Sequence, residues 1–389
     1  MLLFCLKDAE LSLVLRAEKQ LTVNNFQEVK RMAHQLNTFE RPNTRVALWD
    51  NVKFVIITFV VIGHFADVFT NSSNICKSIF LFIYAFHMPL FIFISGLFYR
   101  ESNSKQKIVY YASCGFALKI TSTCLTIIIN KSTNFSLLSE SGIPWFMFSL
   151  AAFQAIMYLF NKINKKFVLV FSVVIACFVG YDKSIGDLLC LSRIIIFFPF
   201  FLLGTMAAQQ TVIDFIKKHF KILLPISVFV LTLWLYLCFF QLDHFYILRH
   251  LFTGRNPFAN TVIKYGPLAR LLCYFITFAT GASLLVIIPK QRIPIVTTLG
   301  SRTLNVYFWH WPFYRLLAAY LQINKLFAIS FWGKAAYFFI AVLLSITLMS
   351  VIYFEFPLKI IKNACFDQKR QGTGLCLAPK EAPERPKNS

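Results

Sequence analysis

Long hydrophobic runs, separated by short polar stretches, cover most of the chain between residues 49 and 361. A run of about 20 apolar residues is long enough to cross the hydrocarbon core of a bilayer as a helix. Ten segments are predicted to be membrane helices: 52–70, 79–99, 108–129, 145–160, 167–181, 192–209, 221–240, 268–288, 303–322 and 335–357. The pattern therefore predicts an all-α, polytopic membrane helical bundle with about ten transmembrane helices.

Polar segments flank the predicted bundle on both sides. Residues 1–48 are polar and mixed in charge, and we expect them to form a cytosolic N-terminal extension. Residues 362–389 are rich in proline, glycine and charge, which is typical of a disordered cytosolic tail. The transmembrane domain is accordingly assigned to residues 49–361.

The composition bears on the environment and partners of the protein. Hydrophobic residues make up 57% of the chain and charged residues 14%, which is typical of membrane proteins. Lys and Arg number 39 against 17 Asp and Glu, so the formal charge is +22. Because no basic soluble domain is present to bind nucleic acid, loops that face anionic membrane lipid explain this charge better.

The distribution of Lys and Arg predicts the orientation. If the N-terminus lies inside, each short inside loop carries three basic residues and each short outside loop carries one or two. Since cytoplasmic loops are enriched in Lys and Arg, both termini are predicted to be cytosolic. The chain is thus expected to be a multi-pass protein of a cell membrane, such as a bacterial cytoplasmic membrane. The sequence does not indicate the oligomeric state.

Three histidines are predicted to lie at lipid depth in three different helices. At about 1.5 Å per residue, His64 lies roughly 16 Å and His310 roughly 10 Å from the cytosolic ends of their helices, and His87 lies roughly 12 Å from the outer end of its helix. Ionisable groups at such depth are costly and commonly functional, so a polar cavity is expected. The alternative is that each ring bonds to a nearby backbone carbonyl. His64 is the strongest candidate because Gly63 permits close approach. Asp67, on the same helical face, either accepts a ring N–H or reaches the outer headgroups.

A charged pair stands at the predicted cytosolic mouth of the first helix. Asp50 and Lys53 are three residues apart and either pair with each other or offer a cation to a phosphorylated or acylated cofactor. The ten cysteines show no CxxC or Cys/His spacing. No metal site is therefore predicted.

Five segments, in this order, carry a family resemblance: WDNVKFVIITFVVIGHF, FHMPLFIFISGLFYR, PWFMFSL, RIIIFFPFFLLG and LGSRTLNVYFWHWPF. Together they resemble the acyltransferase 3 family of integral membrane acyltransferases. They are most similar to the branch described as fucose 4-O-acetylase and related acetyltransferases. The resemblance covers roughly residues 45–357.

The resemblance implies a function and a reaction. Members of the family are expected to move an acetyl (acyl) group from cytosolic acetyl-CoA to a hydroxyl of a cell-surface saccharide or its lipid-linked precursor. The family's basic residue and histidine in the first helix match Lys53 and His64, and its preceding acid matches Asp50. Its late-helix pattern ends at Tyr307 and His310.

Roles follow from the matched positions. His64 is expected to be the general base that deprotonates the acceptor hydroxyl, while a covalent acyl-histidine is the alternative route. The catalytic candidates are His64, Asp67 and His310; the cofactor-binding candidates are Lys53, Asp50, Arg100 and Arg302; the substrate-binding candidates are His87, Ser95, Trp145 and Tyr307. A membrane transporter with a midplane His/Asp proton relay is the alternative function, although no repeat of two halves is visible.

Overall fold

The structure is a computed structural model that describes residues 46–131, 136 and 138–366. These residues contain no strand, and their isolated β-bridge joins Ser139 to Leu188. The all-α prediction is therefore confirmed. The predicted N-terminal extension up to residue 45 and the predicted tail from residue 367 lie outside the described residues. The last helix continues past the predicted domain boundary at residue 361 and ends at Phe366.

The helices are numbered here in chain order. They are α1 (Ala47–Asp67), α2 (Asn74–Tyr84), α3 (His87–Leu97), α4 (Ser104–Asn130), α5 (Trp145–Leu159), α6 (Lys165–Phe178), α7 (Leu191–Met206), α8 (Gln209–Lys218), α9 (Phe220–Phe240), α10 (Leu242–Phe245), α11 (Arg249–Thr253), α12 (Gly266–Ile287), α13 (Pro294–Gly300), α14 (Thr303–Tyr320), α15 (Asn324–Ile329), α16 (Phe331–Ser350) and α17 (Leu358–Phe366). Turns of 3-10 helix lie at Glu101–Asn103, Val179–Tyr181, Tyr246–Leu248, Ile263–Tyr265 and Ile352–Glu355.

Helices occupy all ten predicted segments, but they differ in length and apolar character. Among the described residues, six spans are long and apolar enough to cross a membrane: α1, α2 with α3, α4, α9, α12 and α16, two of them lengthened by the preceding 3-10 turn. A seventh would combine α7 and α8, which are bent by 81° at their junction. The chain is thus a multi-pass membrane protein. Six or seven of its described spans are long and apolar enough to cross a membrane, fewer than the ten predicted.

The second span is broken between α2 and α3, and the sequence explains the break. Pro89 has no N–H, so it cannot donate to the carbonyl of Ala85 one turn earlier. Thr277 Oγ1 on α12 donates to that carbonyl instead, at 2.6 Å. The freed backbone group is therefore satisfied within the protein, as the apolar interior of a membrane requires. The break places His87 at the first turn of α3.

Helices α3 and α7 pack backbone to backbone through two glycines. A Cβ atom on Gly96 would overlap the carbonyl of Phe201, and one on Gly204 would overlap the carbonyl of Phe93. Small residues allow such close approach between membrane helices, where packing rather than the hydrophobic effect drives association. The contact fixes α3, and with it His87, against the body of the bundle.

The start of α1 is fastened to the loop before α13. The Asn51 side chain donates to the carbonyls of Pro289 (2.8 Å) and Gln291 (3.0 Å) and accepts from Thr297 Oγ1 (2.6 Å). Asn51 is only 1% exposed, so the three bonds replace contacts with water. They hold the mouth of α1 in one position.

A glycine-to-alanine comparison tests the α3–α7 contact. We expect Gly204→Ala to lower the free energy of unfolding by about 1–3 kcal/mol, because the added methyl group must push two backbones apart. Gly281→Ala is the matched control, since the nearest atom to its new Cβ is 4.0 Å away. The measurement is the apparent melting temperature of the detergent-solubilised protein. Equal melting temperatures for the two variants would contradict the close contact.

Candidate active site

The three histidines predicted at lipid depth come together in the bundle. The ring centroids of His64 on α1 and His310 on α14 are 5.3 Å apart. The Tyr84 ring contacts both His64 and His87. Its centroid lies 6.3 Å from that of the His64 ring and 4.6 Å from that of the His87 ring. We call these four side chains (His64, Tyr84, His87 and His310) the imidazole cluster. The cluster joins the first two spans of the chain to α14, which lies more than 200 residues later.

Backbone carbonyls fix the protonation of two of these rings. His87 Nδ1 lies 2.9 Å from the carbonyl of Ile83, and His310 Nδ1 lies 2.8 Å from the carbonyl of Val306. A carbonyl only accepts hydrogen bonds, so Nδ1 carries the hydrogen in both rings. Each neutral ring then keeps its lone pair on Nε2. His310 Nε2 is buried and has no hydrogen-bond partner within the described ranges, so its lone pair is unused.

The orientation of His64 bears on the two alternatives for Asp67, a bond to the ring or a position toward the outer headgroups. His64 Nδ1 lies 3.5 Å from the Tyr84 hydroxyl, and the described residues show no bond between the ring and Asp67. Tyr84 approaches because Gly63 leaves room for it: a Cβ there would lie 3.2 Å from Tyr84 Cε2. The Asp67 side chain is instead exposed at the end of α1.

A polar cavity of about 370 Å³ opens beside the cluster. His64, Tyr84 and His87 form its deep end, and Asp67 also lines it. Its other end reaches residues that follow α1, such as Asn71, and the loop around Arg249. The topology predicted from the loops places these residues outside, and we call this space the outer cavity. His64 therefore faces a space in which a substrate can bind.

Trp145 and an arginine form one wall of the outer cavity. The guanidinium carbon of Arg193 lies 4.8 Å from the centre of the Trp145 ring, and both residues line the cavity. Arg193 is only 6% exposed. Neither Arg193 nor Tyr84 was among the predicted site residues. The sequence features that could have identified them are the position of Arg193 at the start of an apolar helix and that of Tyr84 three residues before His87.

A smaller cavity of about 180 Å³ approaches from the opposite side. It is lined by Lys53, Ser95, Thr303 and Tyr307, among others. These residues lie toward the end of the bundle predicted to be cytosolic, so we call it the inner cavity. Met88 lines both cavities. Spaces from the two sides therefore meet at one side chain next to His87.

Two hydroxyls of the inner cavity are already engaged as donors. Ser95 Oγ donates to the carbonyl of Phe91 at 2.9 Å. The Tyr307 hydroxyl donates to the carbonyl of Ile143. Both oxygens retain lone pairs, so these groups can accept a hydrogen bond from a ligand.

The structure keeps Asp50 and Lys53 together but places the other two predicted cofactor-binding residues, Arg100 and Arg302, outside the inner cavity. Lys53 Nζ is 2.7 Å from a carboxylate oxygen of buried Asp50, so the predicted pairing forms even though Lys53 lines the inner cavity. Arg302 instead contacts Glu355 (3.8 Å) and the carbonyl of Ser350 (3.3 Å). Arg100 is exposed, and neither arginine belongs to the cavity lining. Lys53 is thus the predicted cation that the structure places at the inner cavity.

A metal centre does not form within the part of the chain that the structure describes. No group of three or more His, Cys, Asp or Glu side chains in these ranges is arranged to hold a metal ion.

The fold and site define a multi-pass membrane protein in which His64 and His87 line one cavity, and this cavity shares Met88 with a second one. A family model described as "Acyltransferase domain" matches residues 46–354, so the chain belongs to the acyltransferase 3 family. The chain is also 30% identical over 189 residues to "Nodulation protein NolL" of Sinorhizobium fredii, a match that covers 43% of this chain and 50% of that protein. The chain thus spans about half the length of this curated relative. No solved structure matches the chain.

Cysteine labelling tests which side each cavity faces. We expect Asn71→Cys, at the rim of the outer cavity, to react with a membrane-impermeant maleimide in intact cells. Ser102→Cys, an exposed position at the opposite end of the bundle, should react only after the membrane is permeabilised. The unsubstituted protein gives the background from native cysteines. The reverse labelling pattern would invert the predicted topology.

Proposed function

We propose that the protein transfers an acetyl group from acetyl-CoA to a hydroxyl of a cell-surface saccharide, or of its lipid-linked precursor, in the cell membrane. Family membership supports acyl transfer as the reaction class. The observation that carries the proposal is that the outer cavity, lined by His64 and His87, shares the Met88 side chain with the inner cavity. Donor and acceptor can therefore approach the same group of histidines from opposite sides.

The donor fits the inner cavity by charge and shape. Coenzyme A carries phosphates, which favour a position in water near a cation such as Lys53. Its pantetheine arm is narrow and can extend past Ser95 and Tyr307 toward Met88. The hydroxyl oxygens of these two residues can accept hydrogen bonds from the amide N–H groups of the arm.

The acceptor hydroxyl binds in the outer cavity, where His64 is the general base. When His64 Nδ1–H donates to the Tyr84 oxygen, the lone pair of the ring lies on Nε2. This nitrogen takes the proton as the hydroxyl oxygen attacks the thioester carbonyl. The C–O bond forms, the C–S bond breaks, and the proton passes to the departing thiolate. A positioned imidazole typically contributes about 10²- to 10⁴-fold to such a step.

The tautomer of His310 limits its part in the reaction. With its hydrogen on Nδ1, neutral His310 offers only an acceptor at Nε2, so it cannot donate to the oxyanion that forms on the thioester carbonyl. Its place 5.3 Å from His64 suits a group that orients the acceptor hydroxyl by accepting a hydrogen bond. The same reasoning applies to His87, which lines the outer cavity.

Substitution of His64 tests the proposed base. We expect His64→Ala to lower kcat for acetyl transfer by about 10²-fold or more while acetyl-CoA still binds. The assay follows radiolabelled acetyl groups from acetyl-CoA to membrane glycans, using purified protein in detergent. His244→Ala is the matched control, because His244 is exposed and lies outside both cavities.

Two results would contradict the proposal. Full activity in a well-folded His64→Ala variant would remove its central role. Absence of acetyl transfer by the parent protein, together with proton-coupled solute movement in vesicles, would favour the transporter. Transfer in detergent favours the enzyme, because no separate compartments exist there.

The Asp50–Lys53 pair requires a double substitution. Removing Lys53 alone takes a cation away from a buried carboxylate, which costs on the order of a few kcal/mol. We therefore expect Asp50→Asn with Lys53→Gln to fold and to raise KM for acetyl-CoA by about tenfold, because one contact to a phosphate is lost. Lys359→Gln, an exposed lysine outside the inner cavity, is the control. An unchanged KM would exclude a role of Lys53 at the donor phosphates.

A further inference from the structure

The outer cavity contains three arginines, and one of them already has a carboxylate partner. Arg255 Nε and one terminal nitrogen contact both oxygens of Asp187 at 2.7–2.9 Å. This bidentate arrangement uses the fork of N–H groups with which arginine recognises planar anions. Arg255 is therefore committed to a structural ion pair.

The other two arginines are held differently. Arg193 lies over the Trp145 ring (4.8 Å), and Arg249 lies over the Tyr246 ring (4.1 Å). Among the described residues, the guanidinium nitrogens of Arg193 reach only the carbonyl of Glu140, at 3.5 Å, and those of Arg249 only the carbonyl of Tyr246, at 3.3 Å. In the described part of the chain, no carboxylate oxygen lies within 4.0 Å of the guanidinium nitrogens of Arg193 or Arg249. Stacking fixes the plane of each cation but leaves most of its N–H groups available.

The remaining charged groups of the cavity do not neutralise these two cations. Asp67 is the one acidic residue among the described residues that line the cavity. The charges of Asp187 and Glu140 also act on Arg193, but these carboxylates pair with Arg255 and Lys119. Burial lowers the pKa of His250, and neighbouring Arg249 lowers it further. His250 is therefore mostly neutral near pH 7 and accepts at Nδ1 from the Asn256 amide, 3.2 Å away. The local charge is positive and comes from the arginines.

The burial of Arg193 indicates that its positive charge requires a partner. A cation that is only 6% exposed and has no acidic contact in the described ranges is costly unless a partner is supplied. The cavity that Arg193 lines has a volume within the range of about 300–1,000 Å³ that is usual for small-ligand sites. A ligand with a negative charge would supply that partner.

We propose that the acceptor of this transferase carries an anionic group, a carboxylate or a phosphate, that Arg193 and Arg249 bind in the outer cavity. This inference rests on the proposed acyl transfer and specifies its acceptor. The same cavity contains His64, so the anionic group lies on the sugar unit that is acylated or on the unit next to it. A carboxylate would indicate a uronic acid, and a phosphate would indicate a phosphorylated or lipid-linked saccharide.

Equilibrium dialysis on the purified full chain tests the proposal without requiring turnover. The radiolabelled probes are methyl glucoside, methyl glucuronide and methyl glucoside 6-phosphate. We expect at least one anionic probe to bind about tenfold or more tightly than the neutral one, because it forms charge-assisted hydrogen bonds. The preference should weaken in about 0.5 M NaCl, because salt screens the rim charge of Arg249.

Arginine variants connect the preference to the two side chains. We expect Arg249→Gln to lower affinity for the anionic probe about tenfold and to leave binding of methyl glucoside unchanged. Arg193→Lys keeps the charge but not the planar fork, so we expect a partial loss of the preference. Lys264→Gln, an exposed lysine on the same predicted side but outside the cavity, is the control and should behave like the parent.

The outcomes separate this inference from the proposed function. Equal binding of neutral and anionic probes, no binding of either anionic probe, or a preference that Arg249→Gln does not change would overturn the anionic acceptor. A parallel assay with acetyl-CoA and the same probes tests acyl transfer. No acetylation of any probe or of membrane glycan would contradict the proposed function, while the dialysis result would still decide whether the cavity binds anions.

Discussion

The arrangement of the site depends on the rule that polar groups inside a bilayer must be satisfied by the protein itself. The Nδ1–H groups of His87 and His310 meet this rule by donating to a carbonyl one turn earlier in the chain. That bond fixes the tautomer and leaves the lone pair on Nε2. Pro89 creates a further unsatisfied carbonyl, and Thr277 on another helix covers it. Local backbone chemistry thus determines which nitrogen of each ring can meet a substrate.

Much of the architecture could be predicted from the sequence, because apolar length and loop charge are local properties. Each predicted segment contains a helix, and the depth estimates placed His64 and His310 in the middle of the bilayer, where the structure brings their rings to 5.3 Å. The contacts of Tyr84 and Arg193 were not predicted. They depend on how far each helix is rotated about its axis, which the break at Pro89 and the close approach at Gly63 decide. Such rotations follow from packing between distant segments.

Packing between distant segments also explains why Asp67 and Arg302 have contacts other than those expected from the sequence. Asp67 lies on the same helical face as His64, but a shared face does not ensure a hydrogen bond when another side chain is nearer. Arg302 lies beside Thr303 of the inner cavity, yet Glu355 on a later turn holds its guanidinium outside the lining. Sequence spacing placed these residues near the site but did not determine their partners.

Met88 lines both cavities, so one flexible thioether side chain is part of the wall between them. If the proposed donor and acceptor bind in the inner and outer cavities, the acyl group passes this wall, whereas coenzyme A, the saccharide and small ions do not. The residue next to the reacting centre would then also serve as the seal that maintains the electrochemical gradient of the membrane. A family member that replaced this methionine with a much smaller residue would risk dissipating that gradient at every turnover.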